Sequence, residues 1–227
     1  MTTTSGIENI LKEMELPPQV KQRLQSQLSS PLSYEKLLQS YVKAEAEKAV
    51  LEEEKAAYMD KANKDDLTGL HNLRYWNSID SKIQRASEKY VVGILDLDHM
   101  KKINDTYGHD AGNKVIKAMG KAMNSLLKHD DEKVRYGGDE FTFVLYNIRD
   151  EKDIEKRLDV LGSQIRYNVK RETGYDITVS MGAVICRPET KTSLKEAFDM
   201  ADKKLYQSKE QGRNRASINY NQCLEAA

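Results

Sequence analysis

Residues 134–146 read VRYGGDEFTFVLY, two strand-like runs meeting at Gly137-Gly138. Gly-Gly is a favoured two-residue hairpin turn, since both positions can take positive φ without a Cβ clash. The spacing therefore predicts antiparallel arms over Val134–Tyr136 and Phe141–Tyr146. A turn without side chains also lets a phosphate or base approach the backbone closely. Asp139 and Glu140 follow it, oxygen donors placed where a hard cation could sit. Taken alone, such a turn most often carries ordinary solvated acids; the flanking sequence decides its meaning.

Upstream, Tyr90–Leu95 (YVVGIL) is a short apolar run suited to a strand buried on both faces. It leads into Asp96-Leu97-Asp98, where a helix is expected to begin with Asp98 as its N-cap. Residues 111–127 carry an amphipathic helical pattern with Val115, Met119, Met123 and Leu126 inward. Downstream, 150–171 and 193–212 read as helices. Residues 177–185 and 216–220 read as strands, with Gly182 as a candidate bulge. Strands and helices in this order predict an α+β, ferredoxin-like palm: a central sheet containing antiparallel pairs, flanked by helices.

Residues 1–62 look helical throughout, and Pro17-Pro18 with Ser29-Ser30-Pro31 divide them into two short helices and a long one. In the long one Tyr34, Leu37, Tyr41, Ala44, Lys48, Leu51, Lys55, Tyr58 and Ala62 follow a 3–4 spacing. That fits either a coiled coil with two lysines in its seam or a solvated helix packed on its own N-terminal hairpin. The expected organisation is a dimerisation or partner-docking segment over 1–62, a catalytic domain over 63–220 and a tail over 221–227. The chain of 227 residues has 36 basic and 36 acidic residues, so no global charge draws it to nucleic acid or to a membrane. Mean hydropathy is −0.72, and no apolar run nears the roughly 18 residues a membrane-spanning helix needs. Met1–Gly6 lacks the basic and apolar regions of a signal peptide. Cys186 and Cys223 lack metal-ligand spacing, and Cys186 reads as a reduced core thiol. A cytoplasmic protein is expected.

Asp96 at a strand end, the Leu97 carbonyl, and Asp139 and Glu140 after the turn form a candidate oxygen set for Mg²⁺. Magnesium takes few protein ligands and completes its shell from phosphate and water. Two such ions clamp in-line phosphoryl transfer. Lys101, and Lys209 with Arg213 four residues apart on one helix face, are candidate phosphate cations. Each residue singly has a bland explanation; their co-occurrence in this order is specific.

With those residues in view, the sequence resembles the GGDEF family of diguanylate cyclases over about residues 64–219. The resemblance is carried by DDLTGLHN (65–72), DLDHMKKINDTYGH (96–109), RYGGDEF (135–141), VSMGA (179–183), and the run from Ala201-Asp202 through Lys209 to Gly212-Arg213-Asn214-Arg215. It implies a nucleotidyltransferase that joins two GTP into cyclic di-GMP with release of two pyrophosphates, across a symmetric homodimer. By the resemblance, Asp96, the Leu97 carbonyl, Asp139 and Glu140 bind two Mg²⁺ (Mn²⁺ as the alternative), and Asp139 and Glu140 are the catalytic pair. Asn104, His109, Asn113, Gly137 and Gly138 contact the nucleotide, and Lys101, Lys209 and Arg213 hold its phosphates.

Three positions depart from the family pattern. Asn113 stands where an aspartate usually accepts from guanine N1–H and N2; an amide offers one acceptor and one donor, and adenine matches it better. ATP thus becomes a possible co-substrate and cyclic GMP–AMP a possible product, beside the alternative that Asn104 and pocket shape keep guanine preferred. Lys128-His129-Asp130-Asp131 replaces the Arg-x-x-Asp of a product-inhibition site, so Lys128 and Asp131 are a degenerate version of it; lysine lacks the arginine fork. Leu73 stands where arginine is common. The rival of a different class is a catalytically silent nucleotide-binding scaffold.

Overall fold

The computed structural model describes residues 18–20, 22, 31–148 and 150–220. The two short helices expected before Ser29 lie mostly outside the described residues, as does Cys223. The chain divides into two compact units, residues 1–61 and 62–227. The first contains helix α1, Pro31–Ala62. Of the residues at the expected seam, Leu51 and Tyr58 are well exposed, as are Val42 and Val50; the side chains of Tyr34 and Leu37 lie outside the described set.

The second unit is a five-stranded sheet in the order β2-β3-β1-β4-β5. Its strands are β1 Tyr90–Asp98, β2 Glu132–Gly137, β3 Glu140–Leu145, β4 Thr178–Cys186 and β5 Ala216–Tyr220. All pairings are antiparallel except β4 with β5, which is parallel. Its helices are α2 Leu73–Ser78, α3 Asp80–Ile83, α4 Met100–Tyr107, α5 His109–Leu126, α6 Asp153–Thr173 and α7 Leu194–Glu210. This is the α+β sheet-and-helix arrangement expected from the sequence.

Every residue of β1 is buried, because two apolar layers close on the two faces of the sheet. On one face Val91, Leu95, Leu97, Phe141 and Phe143 pack with Val115, Met119, Leu158 and Ile165 from α5 and α6. On the other, Val92, Ile94, Val144 and Val184 pack with Trp76, Ile83, Ala201 and Leu205 from α2, α3 and α7. The second layer is thinner, and one glycine explains how α7 comes so near. A Cβ on Gly182 would lie 2.1 Å from both the Ala201 carbonyl oxygen and the Leu205 nitrogen. Gly182 therefore marks a close helix approach and not a bulge; the β1–β4 register runs without interruption from Tyr90↔Cys186 to Asp98↔Thr178.

Two other local expectations are corrected. β1 continues through Asp98, and α4 begins after His99, whose φ of 61° makes a left-handed corner without a side-chain cap; Asp98 is not an N-cap. In the hairpin, Gly137 is the last residue of β2 and pairs with Glu140, so the two turn residues are Gly138 and Asp139. Gly138 alone of the two glycines has positive φ, at 37°. A register shift between Arg135 and Gly137 absorbs the extra residue.

The outer side of β2 is met by the entry loop. His71 bridges in parallel to Val134; its N–H donates to the Lys133 carbonyl (3.1 Å) and its carbonyl accepts from Arg135 N–H (2.8 Å).

Gly182→Ala should force α7 off the sheet and destabilise the protein by about 1–3 kcal/mol, the usual cost of overpacking. A urea unfolding midpoint equal to that of the unsubstituted protein would contradict this packing.

Candidate active site

The turn shift alters which carboxylates meet. Glu140, as the first residue of β3, is the direct cross-strand partner of Asp96 on β1. Directly opposed residues in an antiparallel pair share a face with their Cβ atoms about 5 Å apart. Two like charges placed so repel, and Asp139 stands in the adjoining turn with its carbonyl accepting from Leu97 N–H at 3.3 Å. An extended residue turns its N–H and C=O to the same neighbour, so the Leu97 carbonyl also faces the hairpin tip.

Lys209, in the last turn of α7, answers this crowding: its Nζ lies 2.9 Å from Asp96 Oδ2. Burial is the main force raising the Asp96 carboxyl above its ordinary range; Lys209 opposes that, and Asp139 and Asp98 add to it. Glu140 is likewise raised, first by burial and then by the charge on Asp96, with Lys209 again opposing. The charge on Asp96 thus raises Glu140, and Lys209, paired with Asp96, opposes the rise in both.

Among the described residues, no three His, Cys, Asp or Glu side chains are arranged to enclose a metal ion by themselves. Magnesium does not require that; one or two carboxylates with substrate phosphates are its usual set. A close pair of hard-oxygen anions with surplus negative charge fits that requirement.

The hairpin tip is pinned from behind by a residue pair to which the sequence reading gave no role. Arg135 Nη1 reaches both oxygens of Asp65, at 3.2 and 3.1 Å. The same guanidinium donates through Nε and Nη2 to the Gly138 carbonyl, at 3.1 and 2.8 Å. Asp65 Oδ1 also accepts from Thr68 N–H (2.9 Å) and Thr68 Oγ1 (2.6 Å). The entry motif and the turn are therefore one bonded unit. The available signal was the arginine inside RYGGDEF and the aspartate opening DDLTGL.

Asn104 is half-buried against Gly112, where an added Cβ would lie 1.9 Å from its Oδ1. Asn113, the residue after Gly112, is exposed in α5. Lys101 and His109 are also exposed, the first in α4 and the second opening α5. Among the described residues, no hydrogen bond or ion pair ties these three to the carboxylates. Arg213 lies just past α7, its Nε 3.9 Å from Asp98 Oδ1.

Asp131 is buried, its two oxygens accepting from Lys128 N–H (3.0 Å) and Tyr146 N–H (3.1 Å). It closes the α5–β2 loop. A surface hollow near that loop, about 750 Å³ and lined by Lys128, Asp150, Asp153 and Arg157, lies away from the Asp96–Glu140 pair.

Residues 62–215 match the family described as diguanylate cyclase, GGDEF domain. The chain is 36% identical over 168 residues to the probable diguanylate cyclase DgcT of Escherichia coli, covering 69% of this chain and 36% of that protein. It is 35% identical over 158 residues to the response regulator PleD of Caulobacter vibrioides, covering 66% and 34%. It thus spans about a third of the length of these curated relatives. The coiled coil and GGDEF domain of DgcB from Caulobacter crescentus, solved in complex with c-di-GMP, is similar with a TM-score of 0.65 at 26% identity, covering 81% of this chain and 99% of that one. The diguanylate cyclase SiaD of Pseudomonas aeruginosa, solved in complex with its activator SiaC, gives 0.65 at 26% identity, covering 95% and 81%.

Replacing Arg135 by alanine should release the turn and cost about 1.5–3 kcal/mol, the range for hydrogen bonds to a charged group. Hydrogen exchange should rise in residues 64–70 and 136–140 together; a rise in only one of the two would break the link drawn between them.

Proposed function

The chain belongs to the GGDEF-domain family of diguanylate cyclases, and on that premise we propose that it condenses two GTP into cyclic di-GMP with release of two pyrophosphates. The observation that carries the proposal is the in-register Asp96–Glu140 pair with Asp139 beside it and Lys209 on Asp96. Such a site is short of positive charge, and the divalent cations that accompany a nucleoside triphosphate would supply it. Two Mg²⁺, or Mn²⁺, would be held by Asp96, the Leu97 carbonyl, Asp139 and Glu140, and would neutralise charge developing on the transferred phosphoryl group.

The chain's own residues do the rest. Lys209, Arg213 and Lys101 hold phosphate oxygens by charge-assisted hydrogen bonds. Gly137 and Gly138 leave room for the nucleotide against the backbone. Asp139 takes the proton of the attacking 3′-hydroxyl, with Glu140 in the same cluster. The reaction needs two nucleotides facing each other, so the active species is a homodimer. Residues 1–62 bring the domains together or receive a protein partner, as SiaD does in its activator complex; the exposed Leu51 and Tyr58 on α1 suit such a contact. Because GTP is the substrate, the catalytic domain works in the cytoplasm; among the described residues no helix is long and apolar enough to cross a membrane.

A second reading concerns the base. Asn104, lodged on Gly112, and Asn113, one residue further along α5, present two amides. Each offers both a donor and an acceptor, which relaxes the guanine requirement and admits ATP to give cyclic GMP–AMP. Feedback is the other expected difference. Asp131 is occupied within its loop and Lys128 lacks a planar fork, so product inhibition should be weak or absent. A catalytically silent scaffold remains the rival of another class.

Pure protein incubated with Mg²⁺ and GTP, ATP or both, with products identified by mass, separates these readings. Cyclic di-GMP alone in the equimolar mixture would remove the relaxed-base reading, and no product under any condition would remove the enzyme. Asp139→Ala with Glu140→Ala should lower turnover at least about a hundredfold. Adding micromolar cyclic di-GMP to the assay should leave the initial rate within about twofold, as expected when a bidentate contact is missing.

A further inference from the structure

Asp98 has no part in the reaction proposed above, yet it is the most completely enclosed carboxylate near it, with its side chain 0% exposed. An ionised carboxylate so placed persists only with a full set of donors. Thr178 Oγ1 donates to Oδ2 at 2.7 Å and Ser180 Oγ to Oδ1 at 2.8 Å, both from β4. The third donor is the backbone N–H of Asn214, 3.2 Å from Oδ2. The Arg213 guanidinium is the nearby cation, with Nε 3.9 Å from Oδ1.

The last two contacts fall on an unusual stretch of backbone. Gly212, Arg213 and Asn214 have successive φ values of 104°, 64° and 53°. Left-handed backbone is disfavoured for residues with a Cβ, and two in succession persist only where surroundings impose them. Here Arg213 N–H donates to the Ser208 carbonyl at 2.9 Å, and Ser208 is itself anchored to the Met181 carbonyl through Oγ at 2.7 Å. Asp98 supplies the other anchor. Because Asp96 and Asp98 are two apart on one strand, they face the same side, and Arg213 is brought alongside Lys209.

We propose that Asp98 is a positioning residue for the nucleotide phosphates: its buried carboxylate fixes the left-handed corner 212–214 and aims the Arg213 guanidinium at the carboxylate end of β1. This deepens the active-site reading above and rests on it. Asparagine at position 98 can still accept from Thr178 and Asn214 N–H with its one oxygen, while Ser180 rotates to accept from the amide. It therefore keeps the corner and removes only the charge that orients Arg213. Alanine removes both.

The experiment uses the full chain and compares Asp98→Asn, Asp98→Ala, Arg213→Ala and the double variant Asp98→Asn/Arg213→Ala. Asp98→Asn should raise the KM for GTP about tenfold, the loss of one charge-assisted contact, with kcat within about twofold and an unchanged melting temperature. The double variant should have the KM of Arg213→Ala alone. An unchanged KM in Asp98→Asn, or a double variant showing the product of the two single effects, would overturn the inference. If the unsubstituted protein gives no turnover, the active-site reading has failed, and hydrogen exchange then decides the corner by itself. Faster exchange confined to residues 211–216 in Asp98→Ala supports the assignment to Asp98; unchanged exchange there sinks it.

Discussion

Two carboxylates facing each other across a strand pair are ordinarily an error. Directly opposed like charges weaken a sheet, and here one of the two, Asp96, is buried while Glu140 is exposed. Asp96 and Glu140 are nevertheless in register, and much of the surrounding architecture serves to hold them there. β1 can tolerate a destabilised end because the rest of it is buried on both faces and paired on both edges. The energy that would separate the strands locally is outweighed by apolar burial further along.

The same constraint explains why α7 must lie so near the sheet. Its last turn carries the ammonium that Asp96 needs, and a lysine can deliver that charge only if the helix axis stays close. Gly182 makes room for the helix backbone itself. Behind the hairpin, Arg135 pins the turn to Asp65; past α7, the 212–214 corner sits on Asp98. The acidic tip is thus held from two sides by contacts that take no part in covering it, leaving its open side to a ligand.

Much of this was legible in the sequence because it follows from periodicity. The apolar run at Tyr90–Leu95, the hairpin arms and the final strand at Ala216–Tyr220 appear where the pattern puts them. What pattern does not encode is a register shift. Gly137-Gly138 suits a two-residue turn, but the chain turns on Gly138-Asp139; Arg135 bonds the Gly138 carbonyl while itself held by Asp65, 70 residues away. Asp98 misled for a related reason: an aspartate before a helix usually caps it, whereas here its partners come from β4 and from beyond α7, at 80 or more residues' separation. Strict alternation from Asp96 would have put both carboxylates on one face, and was the stronger clue. Arg135 and Asp65 went unassigned because, although each sits in a motif, nothing in the sequence pairs residues 70 apart.

The small bridge between His71 and β2 also governs how this sheet edge meets other chains. A sheet edge with free N–H and C=O groups is a template for another chain. By taking one donor and one acceptor of β2, the entry loop interrupts that template within two residues of the hairpin. Strand addition along this edge would have to break the loop first. The hairpin tip can therefore stand open to small molecules without offering the edge beside it as a seed for aggregation.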